Sequence, residues 1–304
     1  NEIEKLKLEK KLVNEILKDQ SLRWKRIGEE IRKIKDKFGK KSELGIRRTE
    51  INPTPISSVL SLASFIECEP ITVIFSQKGW IRATKGHQET LTSIKFKEGD
   101  KGRFIINAET TDKLLLFCTN GRFYTLNCNK LPSGRGHGEP LKLMIDLGNE
   151  HEIVSVMVYR PGSKLIVASS DGRGFIVPQS DVIAQTRNGK QVLNVSGKVK
   201  AQACSILQGD TLAVVGENHK LILFPVSELP EMSRGRGVKL QSYKDGGLSD
   251  VQVFFSEKGL RWRSGERIRT EFDLNLFMGK RAQSGRIAPR GFPRSNRFGK
   301  LEKY

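Results

Sequence analysis

The stretch LLLFCTNGRFYTL, Leu114 to Leu126, is two β-prone apolar runs folded about Asn120-Gly121, with Arg122 beside the turn. An Asn-Gly pair between such runs predicts a β-hairpin, because both residues accept the positive φ that a two-residue hairpin turn demands. The same cassette returns as ITVIFSQKGWIRA from Ile71, LIVASSDGRGFIV from Leu165, LAVVGENHKLILF from Leu212 and VQVFFSEKGLRWR from Val251. A spacing of roughly 40–50 residues is that of propeller blades or solenoid repeats. The expectation is an array of five hairpins with a basic residue recurring beside each turn.

Outside the array the pattern changes. Over residues 1–39, Val13, Ile16, Trp24, Ile27, Ile31, Ile34 and Phe38 recur at helical spacing among Lys, Arg and Glu. A break is expected at Asp19-Gln20-Ser21, where Asp19 or Ser21 can cap a second helix, and Gly39 is a natural stop. The stripe is short for a free coiled coil and reads as the end of a longer helical arm. The chain opens at Asn1 inside this pattern without a Met, so a longer parent protein is expected. Residues 40–55, with Arg47, Arg48, Pro53 and Pro55, read as a basic linker. Residues 56–278 read as the β-rich domain. Residues 279–304 are dense in Arg and Lys with one acid, Glu302, and read as a disordered tail whose main apolar residues are Phe292 and Phe298.

Charge narrows the class of partner. The 304 residues carry a formal net charge of +19 and a pI near 9.9, which calls for a polyanion, nucleic acid first and anionic membrane second. No apolar run is long enough to span a bilayer. Cys68, Cys118, Cys128 and Cys204 form no CxxC pair, and His87, His137, His151 and His219 are scattered, which argues against a disulfide framework or a zinc site.

The segments between hairpins sharpen the reading. Ser133-Gly134-Arg135-Gly136-His137-Gly138, Thr186-Arg187-Asn188-Gly189-Lys190 and Ser233-Arg234-Gly235-Arg236-Gly237 are Gly/Arg turns, each leading into an apolar strand. Glycine lets a backbone approach a phosphate closely and the cation supplies charge, so these turns suit the nucleic-acid backbone rather than base edges. The expected contacts are Arg82, Lys85, Arg122, Arg135, Lys142, Arg173, Arg187, Lys190, Arg234, Arg236, Lys239, Arg261 and Arg263. Trp80 and Trp262 occupy equivalent places in the first and last cassettes and are expected in blade cores rather than as stacking platforms.

Together the cassettes, the Gly/Arg connectors and the junction from Ile31 to Gly39, followed by Arg47-Arg48-Thr49-Glu50-Ile51, resemble the C-terminal part of the A-type subunit of bacterial type IIA topoisomerases. The resemblance covers all but the basic tail. Gyrase carries a QRRGGKG box in its first blade connector; here that connector reads Lys85-Gly86-His87-Gln88-Glu89-Thr90-Leu91, so the topoisomerase IV branch is favoured over gyrase. The resemblance implies a mainly β fold, a broken β-propeller (β-pinwheel) of about five blades that bends duplex DNA along its rim, preceded by an α-helical segment from the end of a coiled-coil arm. It further implies a homodimer of A-type subunits joined to B-type ATPase subunits in an A2B2 complex, with ATP and Mg used elsewhere in that complex and no cofactor in this segment. The location implied is cytoplasmic and chromosome-associated, which allows peripheral association with the inner membrane. The family's cleavage tyrosine lies in an A-A-x-R-Y-T context, which none of Tyr124, Tyr159, Tyr243 and Tyr304 has, because Phe123 intervenes in Arg122-Phe123-Tyr124-Thr125. With no P-loop and no acidic cluster either, this segment is expected to be catalytically silent within an ATP-dependent topoisomerase. The rival classes are a protein-interaction propeller, which leaves the charge unexplained, an RNA-binding β-repeat, which the Gly/Arg turns allow but for which exposed aromatic platforms are scarce, and a hydrolytic propeller, for which no nucleophile or carboxylate cluster stands at a recognisable spacing.

Overall fold

A computed structural model of the chain describes residues 1–46, 67–88, 95–133 and 136–299. The chain divides into two compact units, Asn1–Ser61 and Leu62–Tyr304. Among its described residues the first unit contains two helices, α1 (Glu2–Lys18) and α2 (Gln20–Phe38). The break falls where the sequence places it: the Asp19 carboxylate accepts the Ser21 N–H at 2.8 Å and caps α2. At the other end Gly39 donates its N–H to Lys35 O at 2.7 Å with φ −69°, so this glycine serves close approach and not a left-handed turn. Neither helix buries a residue, and Trp24, Ile31 and Ile34 stand exposed. The expected junction Arg47-Arg48-Thr49, most of the linker, the start of the β domain at Ile56 and the contact Arg135 lie outside the described residues.

In the second unit the expected hairpins form. The first is β1 (Pro70–Ser76) with β2 (Trp80–Lys85), followed by β3 (Gly102–Glu109). The second is β4 (Lys113–Cys118) with β5 (Arg122–Asn127), then the short β6 (Glu139–Pro140) and β7 (Ile153–Val158). The third is β8 (Lys164–Ser169) with β9 (Arg173–Pro178), then a single helical turn α3 (Gln179–Val182), β10 (Lys190–Gln191) and β11 (Ala201–Ile206). The fourth is β12 (Thr211–Gly216) with β13 (Lys220–Pro225), then β14 (Val238–Lys239) and β15 (Leu248–Phe254). Last come β16 (Leu260–Ser264), β17 (Arg267–Glu271) and β18 (Arg286–Ile287).

Among the described residues four antiparallel four-stranded sheets result, in the orders β3-β1-β2-β6, β10-β5-β4-β7, β11-β8-β9-β14 and β15-β12-β13-β18, with β16-β17 as a two-stranded fifth. Each of the four has the same plan. A hairpin holds the middle, the next strand longer than two residues pairs with its first strand, and the outer edge of its second strand takes two residues from the connector that follows the next hairpin. Each connector therefore stitches its own hairpin to the preceding sheet, which makes the array a β-pinwheel. The fifth cassette departs from its expected hairpin. Its first apolar run is β15, the edge strand of the fourth sheet, and its second is β16, which pairs with β17 across Gly265-Glu266.

The sheets stack through four apolar layers. Val73, Phe75 and Ile81 meet Leu114 and Leu116, while Leu115 and Phe117 on the other face of β4 meet Leu165, Val167 and Phe175. A strand buried on both faces needs a continuous apolar run, which is why LLLF and LIVA do not alternate.

The basic tail is not disordered over residues 279–299, and that expectation is corrected. Strand β18 pairs with β13, and Ala288, Phe292 and Phe298 enter the last apolar layer with Trp262, Leu221 and Leu223. Trp262 Nε1 donates to Gly291 O at 3.0 Å, and the Phe298 N–H reaches Asp250 Oδ2 at 3.0 Å. Asn296 Nδ2 donates to Glu217 O at 2.9 Å, and Asn296 Oδ1 lies 2.6 Å from His219 Nδ1. A few well-spaced apolar groups suffice because each is fully used.

Candidate functional site

The connectors owe their geometry to glycines. Gly138, Gly189, Gly237 and Gly285 sit at φ 88°, 68°, 73° and 73°, each immediately before a two-residue strand. A Cβ on Gly237 would lie 2.4 Å from Gly174 O, and one on Gly285 would lie 2.4 Å from Leu221 O. Both carbonyls belong to the second residue of the strand that receives the connector, as do Ile81 O and Phe123 O beside Gly138 and Gly189. The glycines thus select backbone approach to the preceding sheet. Gly285→Ala is expected to cost about 2 kcal/mol or more in chemical denaturation, since it adds a backbone clash to the left-handed strain. Gly265→Ala, at φ 63° but in open space, carries the strain alone and is expected to cost less. Equal costs at the two positions would show that the carbonyl contact does not select glycine.

Successive connectors also bond to one another. The Asp146 N–H donates to Arg187 O at 2.9 Å, Asn194 to Gly235 O at 2.7 Å, Gly235 to Val192 O at 3.0 Å, Ala282 to Leu240 O at 2.8 Å and Ser242 to Gln283 O at 3.0 Å. An arginine clasps each junction. Arg187 Nε donates to Met144 O at 3.2 Å, Arg234 Nε to Asn194 Oδ1 at 3.3 Å and Arg281 Nη1 to Lys239 O at 2.9 Å. A second set reaches from the hairpins: Arg82 Nη1 donates to Gly136 O at 2.5 Å, and Arg122 Nη1 to Asn188 O at 2.7 Å. The outcome is a continuous belt of backbone running across the sheets, with cations built into it.

The expected contact residues divide by what holds them. Arg82, Arg122, Arg187 and Arg234 are clasps, each keeping further N–H donors unspent. Lys85 pairs with Glu69 at 3.1 Å and Lys142 with the Asn149 side chain. Arg173 and Arg236 flank Asp171 at 3.7 and 4.0 Å. Lys190 and Lys239 lie exposed on β10 and β14 and make no ion pair among the described residues. Arg261 and Arg263 are exposed on β16, which pairs with β17 and not with a belt strand, and Arg263 Nε donates to Gly265 O. Trp262 is buried as expected. Trp80 is half-buried, with Lys97 Nζ 4.7 Å from the ring centroid.

Reading the tail as disordered hid a fourth connector, Lys280 to Arg290, which carries β18. Its signal is present in the sequence: Ser284-Gly285-Arg286-Ile287 repeats the glycine-then-strand step of Arg236-Gly237-Val238-Lys239. Burial pushes the Cys118 and Cys128 thiols up to about 12, so neither is an activated thiolate. Burial likewise pushes the Asp250 carboxyl up to about 6, against the hydrogen bonds it accepts from Phe298 and Val251. Among the described residues no group of three or more His, Cys, Asp or Glu could hold a metal, and no helix is long and apolar enough to cross a membrane.

Comparison with known proteins places this geometry. The family described as DNA gyrase C-terminal domain, beta-propeller, matches residues 112–160, 163–206 and 210–248. The A-type subunit of DNA topoisomerase 4 from Rickettsia bellii is 42% identical over 294 residues, covering 96% of this chain and 40% of that protein. Its counterpart in Caulobacter vibrioides is 43% identical over 293 residues, covering 93% of this chain and 38% of that protein. The chain thus spans about 40% of the length of these relatives. Among solved structures, the E. coli ParC C-terminal domain superposes with a TM-score of 0.65 at 26% identity, over 74% of this chain and 96% of that one. A C-terminal domain of DNA topoisomerase IV at 18% identity shares the fold, with a TM-score of 0.61 over 73% of each chain.

Proposed function

Because the chain belongs to the family of C-terminal regions of the A-type subunit of bacterial type IIA topoisomerases, in its topoisomerase IV branch, we propose that its β-pinwheel binds duplex DNA along the connector belt and bends it. The observation that carries this reading is the belt itself: consecutive Gly/Arg connectors, hydrogen-bonded end to end, with exposed Lys190, Arg236 and Lys239 upon it. Such a surface meets phosphates and carries no base-edge code, so binding tolerates sequence.

Energetics require the contacts to be spread. Turning about 40 bp of duplex through a half circle costs on the order of 10 kcal/mol. At about 1 kcal/mol per charge-assisted phosphate contact, roughly ten must act together, which is beyond any one connector and within reach of the belt. The clasping arginines hold the connectors in register, so the array is ordered before DNA arrives.

In the complete protein this unit presents DNA for ATP-dependent passage of one duplex through another, in decatenation and relaxation during chromosome segregation. The cleavage tyrosine, the Mg site and the ATPase machinery belong, on this reading, to other parts of an A2B2 assembly. A series of end-labelled duplexes tests the binding mode. Affinity is expected to rise with length up to about 40 bp while the end-to-end distance falls below that of free duplex, because a stiff rod shorter than its persistence length touches few blades. Affinity independent of length, with unbent duplex, would overturn the bending claim.

A further inference from the structure

The belt does not carry charge evenly along its length. The first connector has Arg135 and Lys142 against Glu139; the second has Arg187 and Lys190; the third has Arg234, Arg236 and Lys239, with Asp171 facing Arg236 at 4.0 Å. The fourth has Lys280, Arg281, Arg286 and Arg290; residues 279–299 contain no Asp or Glu, and the Glu228 carboxylate accepts the Arg281 backbone N–H at 2.9 Å without pairing with a side chain of the connector. Lys280, Arg286 and Arg290 are exposed and make no ion pair among the described residues. Yet the backbone that bears them is tightly held. Ala282 is fixed at φ 69° with its N–H on Leu240 O, Gln241 Nε2 reaches Ser284 O at 2.9 Å, and Arg286 sits opposite Leu221 in β18. A left-handed alanine costs about 1 kcal/mol or more and persists only where its surroundings hold it.

From this we infer that the C-terminal connector, Lys280 to Arg290, is a phosphate-binding site and the tightest anchor of the belt, so that DNA is held in a polarised way, more strongly at the C-terminal end than at the first connector. The inference rests on the proposed DNA-binding role and adds to it both a site and a direction. The C-terminal connector's three exposed, unpaired cations exchange only water and counterions when a phosphate arrives, whereas among the described residues the second and third connectors each offer one such lysine, Lys190 or Lys239, beside arginines spent on clasps or, like Arg236, held by a carboxylate.

The test compares two triple variants of the 304-residue chain on one duplex of about 40 bp, in the length range set by the bending estimate. Lys280→Ala, Arg286→Ala, Arg290→Ala is expected to weaken binding at least tenfold and to flatten the log–log salt slope by about 2–3, near one per phosphate contact. Lys142→Ala, Lys190→Ala, Lys239→Ala is expected to weaken it less. Thermal unfolding of both variants should match the parent, since all six side chains are exposed. If the second triple weakens binding and the first does not, the C-terminal anchor is refuted while the belt stands. If neither triple moves affinity or slope, the DNA-binding reading itself fails.

Discussion

Replacing Phe298 with alanine is expected to lower the free energy of unfolding by about 3–5 kcal/mol, the usual cost of emptying a buried aromatic site. Phe298 is 2% exposed and meets Phe292 edge-on, ring centroids 5.3 Å apart, and Phe292 in turn lies 5.5 Å from Trp262. Its backbone is tied on both sides, the N–H to Asp250 and the carbonyl to the Arg263 N–H at 2.8 Å. Losing the ring therefore weakens the last layer and the docking of β18 together. Denaturant unfolding followed by tryptophan fluorescence, to which buried Trp262 contributes, measures the change. The comparison is Phe272→Ala, at a residue 72% exposed, which is expected to stay within about 0.5 kcal/mol of the parent. A Phe298→Ala variant as stable as the parent would mean that the C-terminal segment does not pack.

That segment also marks where sequence reasoning ran out. Strand pairing in the first four hairpins was legible because Lys78-Gly79, Asn120-Gly121 and Asp171-Gly172 put glycine where the turn needs positive φ, with long apolar runs on either side. The fourth turn holds His219 at φ 60° in the same place, and its flanking runs carried the reading without glycine. The fifth cassette misled because an edge strand and the first strand of the next hairpin are both short apolar runs about a Gly. Which partner such a run takes is decided across the sheet, by β12 for β15 and by β17 for β16. Composition misled over the tail for a related reason. Phe292 and Phe298 were visible, but only a receiving strand and a waiting apolar layer make two phenylalanines enough to order an Arg-rich segment.

The connectors were half legible. Their Gly/Arg content pointed to a phosphate surface, yet the glycines face carbonyls of the preceding sheet, and Arg82, Arg122, Arg187 and Arg234 spend donors on holding the belt. Hydrogen bonds between connectors about fifty residues apart leave no periodic trace in a single sequence. On the proposed reading, a folding role does not compete with phosphate binding. The clasps fix the spacing of the cations, and a bent duplex rewards fixed spacing because each new contact then costs little ordering.

The salt dependence of duplex binding carries the largest effect expected of this protein and tests its central claim most directly. On the proposed reading, the formal charge of +19 and the belt of connectors drive association by counterion release. For about 6–10 phosphates neutralised, log affinity is expected to fall linearly with log salt at about −0.9 per phosphate, a loss of about 10³–10⁵ in affinity between about 50 and 200 mM, and to do so alike on duplexes of unrelated sequence. A slope near zero, or an affinity set by sequence and indifferent to salt, would contradict it.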